Sequence, residues 1–147
     1  MTDNSSAGSQ PIVTVLICDD YEPLRILLRS IIERCPGLSV VGEAADGHEA
    51  IVEAARLQPD VILLDLAMPR KSGLEALREI TLVAPTSKVI VFSGFSTASV
   101  ASDVTALGAV LYLEKGASPE EIIEAIERAA VHTTALPEPT GSAPPRQ

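Results

Sequence analysis

Apolar and polar positions change period several times along the chain, and each change marks an element. Residues 12–18 form a continuous run rich in β-branched side chains, the pattern of a strand buried on both faces. From about residue 23 to 34 the period becomes helical. Leu24, Leu27, Leu28, Ile31 and Ile32 fall on one face, and Pro36-Gly37 ends the helix. Residues 39–43 read as a short second strand. Asp46 then caps a helix running through Leu57, with Glu49 three residues on completing a capping-box-like pair. Pro59-Asp60 breaks that helix, and residues 61–66 are the third strand.

A loop holding Pro69 and Gly73 leads into a helix over 74–83, closed by Pro85. Residues 88–93 are the fourth strand, and 97–107 a weaker helix with Val100, Val104 and Leu107 on one face. Gly108 punctuates, and 110–114 is the fifth strand. The last helix has the clearest start: Ser118 as N-cap, Pro119 in the first turn and Glu121 three residues after the cap. It runs to about residue 131 with Ile122, Ile123, Ile126, Ala129 and Ala130 inward. Strands alternating with helices require right-handed crossovers. The expected fold is therefore α/β: a doubly wound, flavodoxin-like five-stranded parallel sheet in the order 2-1-3-4-5, with five helices on its two faces. Residues 1–11 are expected to be a disordered N-terminus and 12–131 the folded domain. Residues 132–147, with Pro137, Pro139, Pro144 and Pro145 among small polar residues, are expected to be a disordered tail or a severed linker.

Composition narrows this picture. A chain of 147 residues suits one domain, and with 46% hydrophobic but only 3% aromatic residues its core must be aliphatic. The net charge of −9 argues against direct nucleic-acid binding by this domain and is otherwise explained by solubility. Cys18 and Cys35 show no metal or redox spacing and read as small core or cap residues. No stretch approaches the ~20 apolar residues needed to cross a membrane, and the Ser/Gly/Asn-rich start is no secretory signal. A soluble cytoplasmic protein is expected.

Candidate chemistry lies at the C-terminal ends of the strands, the edge where open doubly wound sheets bind ligands. Strand one ends in Asp19-Asp20, strand three in Asp65, strand four in Ser93-Gly94 and strand five in Glu114-Lys115. In the order 2-1-3-4-5 these side chains converge on one rim. Crowded carboxylates repel unless a hard cation joins them, and such an oxygen-rich set suits Mg²⁺. Asp65 can then attack a phosphoryl group, Lys115 can balance the phosphoryl oxygens, and the Ser93 hydroxyl can donate to one. Taken singly, Asp19-Asp20 is as readily a turn, and Asp65 as readily half of a structural ion pair. Their joint placement at successive strand ends is what marks a site. A metal-dependent phosphohydrolase on a related α/β fold is the alternative, but it needs an acid two positions after the nucleophile, where this chain has Ala67. A flavodoxin-like cofactor binder needs a Ser/Thr/Gly-rich loop where Asp19-Asp20-Tyr21-Glu22 stands.

Over about residues 12–131 the chain resembles the receiver domains of bacterial two-component response regulators. The resemblance is carried by Ile17-Cys18-Asp19-Asp20, by Leu63-Leu64-Asp65-Leu66-Ala67-Met68-Pro69 with Gly73, by Ser93, and by Gly108-Ala109 followed by Tyr112 and Lys115. It implies that Asp65 is the phosphoacceptor for a sensor histidine kinase. Asp20 would bind Mg²⁺ directly, Asp19 through a water and Ala67 through its carbonyl. Ser93 and Lys115 would contact the phosphoryl group, and Tyr112 would be the switch aromatic that alters partner choice or homodimerisation. Such a domain is a regulatory phosphoacceptor rather than a metabolic enzyme. Val40-Val41-Gly42-Glu43-Ala44 with Asp46-Gly47 is similar to the subgroup joined to helix-turn-helix output domains, so a stand-alone receiver or one cut from such a regulator is expected. Some positions depart from the family pattern. Leu111 precedes the aromatic where many receivers have Gly, and Gly116 follows the lysine where many have Pro. Ala67 and Phe95 cannot orient a hydrolytic water by hydrogen bonding, so slow self-dephosphorylation is expected.

Overall fold

The computed structural model describes residues 12–94 and 98–131, and for residues 98–100 only the backbone. The expected disordered segments, 1–11 and 132–147, lie outside the described residues, as does Phe95. The elements run β1 (Val13–Cys18), α1 (Glu22–Glu33), β2 (Leu38–Ala44), α2 (Gly47–Leu57), β3 (Val61–Leu64), α3 (Gly73–Val83), β4 (Lys88–Ser93), α4 (Ala98–Ala106), β5 (Leu111–Glu114) and α5 (Pro119–Ala130). The strands form one parallel sheet in the order β2-β1-β3-β4-β5, as the alternation of elements predicts.

Successive strand residues face opposite sides of the sheet, and the two sides carry separate halves of the core. Val15, Ile17, Val61, Leu63, Ile90 and Phe92 meet Leu28, Ile31 and Ile32 of α1 and Ile122, Ile126 and Ala129 of α5. Their strand neighbours Leu16, Cys18, Ile62, Leu64, Val89 and Val91 meet α2, α3 and α4 through Ala50, Ala54, Leu77, Ile80 and Val104. Cys18 and Cys35 are free thiols, the first buried in the core and the second half-buried beside it.

Two expectations need correction. Leu27, placed on the inner face of α1 by the periodicity, is 54% exposed. At about 100° per residue it lies roughly a quarter turn from the centre of the inward Leu24/Leu28/Ile31/Ile32 stripe, in which Leu24 is half-buried. The third strand also stops at Leu64, two residues sooner than its apolar run, because Leu66 already hydrogen-bonds the incoming helix through Gly73 N–H (2.9 Å). The caps follow simple rules. Asp46 accepts from Glu49 N–H, although the Glu49 carboxylate reaches back to Ala45 N–H rather than to Asp46. Full capping boxes start α3 (Ser72 with Glu75) and α5 (Ser118 with Glu121).

α1 is tied to the sheet by charge as well as packing. Glu43 of β2 accepts from Arg25 Nε and from Arg29 Nε, each at 2.8 Å. Partial burial works against the Glu43 charge, but the two guanidinium hydrogen bonds outweigh it and hold the carboxyl below its ordinary range. A carboxyl lowered in the folded state stabilises the fold above the ordinary glutamate range, and that stabilisation is lost as pH falls through the folded value. α3 and α2 approach neighbouring backbone so closely that their first residues must lack a side chain. A Cβ on Gly73 would overlap the Asp65 carbonyl, and one on Gly47 would overlap the Lys71 carbonyl.

Two predictions follow from this packing. Glu43→Gln should cost roughly 1–2 kcal/mol at neutral pH, a few degrees of melting temperature. The gap to wild type should narrow as pH falls below the ordinary glutamate range and through the lowered folded value, where Glu43 itself protonates; a gap independent of pH would exclude the charge as its source. Gly73→Ala should cost about 1–3 kcal/mol in denaturant unfolding, because backbone, not a mobile side chain, meets the new methyl group.

Candidate functional site

The parallel registers bring the strand exits to one level. Cys18 pairs with Leu64 and with Ala44, and the ladder continues one step further. Asp65 N–H donates to the Cys18 carbonyl at 2.9 Å and Asp19 N–H to the Ala44 carbonyl at 3.0 Å. On the other side Ser93 pairs with Glu114, and Lys115 N–H donates to the Ser93 carbonyl at 2.9 Å. Asp19, Asp65, Ser93 and Lys115 are thus the residues at which four neighbouring strands end. β1 and β3 flank the point where the strand order reverses.

Asp19 and Asp65 are buried, 1% and 2% exposed, whereas Asp20 faces solvent. One carboxylate oxygen from each of Asp19, Asp20 and Asp65 lies within 4.8 Å of the others. Lys115 Nζ stands 3.0 Å from Asp19 Oδ2 and 3.2 Å from Asp65 Oδ2, bridging the two buried acids. Asp19 Oδ2 has no other polar partner among the described residues. Asp19 Oδ1 accepts from Tyr21 N–H at 2.9 Å, and Asp65 Oδ1 from Ala67 N–H at 3.2 Å. Burial pushes the Asp65 carboxyl above its ordinary range; the Ala67 N–H and Lys115 oppose this and the charge of Asp19 adds to it. Lys115 is shifted upward as well: partial burial works against its charge, but the two aspartates outweigh it. The donor set fits a hard divalent cation. It offers three carboxylates, two of them buried, and an oxygen of Asp19 whose sole partner among the described residues is the Lys115 ammonium.

The other expected residues take distinct positions. Ser93 is fully buried at the end of β4, and Ala67 is exposed in the loop after β3. In that loop Arg70 adopts the left-handed region at φ 67° and pairs with Asp46 at 3.3 Å. Tyr112 lies opposite Val91 and packs against the α2–α3–α4 side of the core. Its hydroxyl is buried and has no hydrogen-bond partner among the described residues. Arg25 was not expected here. Its Nη1 donates to the Asp19 carbonyl at 2.7 Å. The available signal was Glu43, an acid inside a short strand paired with the first.

Comparisons with known proteins agree with this geometry. The family model of the response regulator receiver domain matches residues 15–127. The chain is 40% identical over 118 residues to the uncharacterized transcriptional regulatory protein YxjL of Bacillus subtilis, covering 80% of this chain and 54% of that one. It is 38% identical over 133 residues to the nitrate/nitrite response regulator protein NarL of Escherichia coli, covering 89% and 61%. The chain spans about half the length of the curated relatives it matches. Among solved structures, the response regulator domain of Thermotoga maritima CheB superposes with a TM-score of 0.78 at 34% identity, covering 83% of this chain and 98% of that one. A LuxR-family two-component response regulator from Aurantimonas sp. SI85-9A1 gives 0.77 at 32%, covering 81% and 85%. Neither the phosphohydrolase nor the cofactor-binder alternative finds support in these matches. The chain belongs to the response regulator receiver domain family.

Proposed function

We propose that this domain receives a phosphoryl group on Asp65 from the phosphohistidine of a sensor kinase, with Mg²⁺ at the acidic rim, and changes a binding surface in response. The observation that carries this reading is the cluster itself: three carboxylates within 4.8 Å of one another, with Lys115 bridging Asp19 and Asp65. Asp19, Asp20, Asp65 and the Ala67 carbonyl would hold the cation. Bound there, it supplies positive charge against the phosphoryl oxygens and lowers the repulsion between donor and carboxylate. An Asp65 carboxylate oxygen forms the new O–P bond as the N–P bond of the donor breaks, its electron pair leaving on the imidazole. Lys115, released from Asp65, balances a phosphoryl oxygen, and the Ser93 hydroxyl donates to another.

The output follows from charge and packing. A phosphoryl group adds about −1.5 to −2 charges beside buried Asp19. In its inward position Tyr112 leaves its hydroxyl without a partner among the described residues, which costs about 1–3 kcal/mol unless a partner reaches it. Movement of Ser93 toward the phosphoryl group would alter this balance and so reshape the surface of α4, β5 and α5. The regulators that match over the receiver carry further sequence. In a longer protein of that kind the reshaped surface would control an output domain or pairing with a second copy. No helix among the described residues is long and apolar enough to cross a membrane.

Three outcomes are expected. With Mg²⁺ and a small phosphodonor, intact mass should show one added phosphoryl group on wild type and none on Asp65→Asn; equal labelling would sink the assignment. Mg²⁺ at about a hundred times its dissociation constant should add roughly 2.7 kcal/mol to wild-type stability, several degrees of melting temperature. Asp65→Asn should gain much less. The phosphoryl group should persist for minutes or longer, since neither Ala67 nor Phe95 can orient a water; loss within seconds in the isolated protein would contradict this.

A further inference from the structure

Asp20 is the least anchored member of the rim. Its side chain is exposed, and among the described residues it receives no hydrogen bond and no ion pair. With no contact of its own to fix it, what the fold controls is the point from which this side chain starts, and that is set by the backbone, above all by the Asp19–Asp20 peptide. The carbonyl of that peptide is not left to solvent. Arg25 Nη1 donates to it at 2.7 Å while Arg25 Nε donates to Glu43 Oε1 at 2.8 Å. The Arg25 side chain is 15% exposed, and the opposite oxygen of Glu43 is taken by Arg29. A planar guanidinium held on two edges leaves the carbonyl little freedom to rotate.

We propose that Arg25, braced by Glu43, is a positioning residue for the cation site, holding the Asp19–Asp20 peptide so that the Asp20 carboxylate faces Asp65. This rests on the reading of the rim as a Mg²⁺ site. A purely electrostatic role has the opposite sign: a guanidinium beside three carboxylates repels an incoming cation, so its removal would strengthen binding. Positioning requires that its removal weaken binding. The position of Glu43 fits the bracing role. It pairs with Ile17 across the β1–β2 ladder, two residues before Asp19, so sheet register places the brace beside the loop that it steadies.

The test compares Mg²⁺ binding by calorimetry in wild type, Arg25→Lys and Arg25→Gln, each checked for folding by its melting curve. Lysine keeps the charge but cannot donate in two fixed directions at once. Both variants should bind Mg²⁺ on the order of tenfold more weakly. In labelling by a small phosphodonor, the Mg²⁺ concentration for half-maximal rate should rise more than the maximal rate falls. Unchanged affinity in folded Arg25→Lys, or tighter binding in Arg25→Gln, overturns the proposal. If neither variant folds, Glu43→Asp decides the matter. It keeps the charge on a shorter arm, so weaker Mg²⁺ binding supports the brace and wild-type binding overturns it. Failure of wild type itself to take Mg²⁺ and label Asp65 would instead remove the reading of the rim on which the proposal stands.

Discussion

Like charge gathered at one sheet edge is the constraint around which the rest of this structure is arranged. Two unit charges about 4 Å apart interact by roughly 4 kcal/mol at an effective dielectric near 20. Asp19, Asp20 and Asp65 therefore resist sharing a rim. The described residues oppose that repulsion with one ammonium in direct contact, Lys115, which touches the two buried acids and leaves the rim net negative. Burial sharpens the conflict, since Asp65 is almost wholly shielded from the solvent that would screen its charge. The site is thus poised to attract a divalent cation, and the same field makes any added phosphate oxygen a large local event.

Such a site needs a platform that does not yield, and the aliphatic core supplies it. Branched side chains from alternate faces of β1, β3 and β4 fill both layers, with Phe92 as the large aromatic buried between sheet and helices. Gly73 lets α3 rest directly on the Asp65 carbonyl. A displacement of that carbonyl consequently reaches a helix without passing through a flexible side chain.

Much of the architecture was legible because it depends on local periodicity. Strand order and both helical layers follow from buried runs alternating with amphipathic ones, and the caps at Asp46 and Ser118 lie in short motifs. The strand-end residues were legible for a related reason, since a parallel sheet aligns its exits. What escaped was non-local. Arg25 and Glu43 are 18 residues apart and join only when α1 packs beside β2. Leu27 counts as apolar in any helical wheel, yet its position at the edge of the stripe leaves it in solvent. The buried Tyr112 hydroxyl, unpaired among the described residues, has no sequence signal at all, because a tyrosine in a strand reads as ordinary packing.

The ladder that carries Asp19 and Asp65 one step past β1 and β3 also sets a rule for how this domain can diverge. Loops at the opposite edge of the sheet, such as the turn between α3 and β4, can lengthen or shorten without disturbing the rim. A single residue gained or lost inside β3 cannot be absorbed in this way. It would turn Asp65 toward the other face and swap the side chains that β3 gives to the two halves of the core. Insertions and deletions should therefore be confined to the loops, while the number of residues within each central strand stays constant.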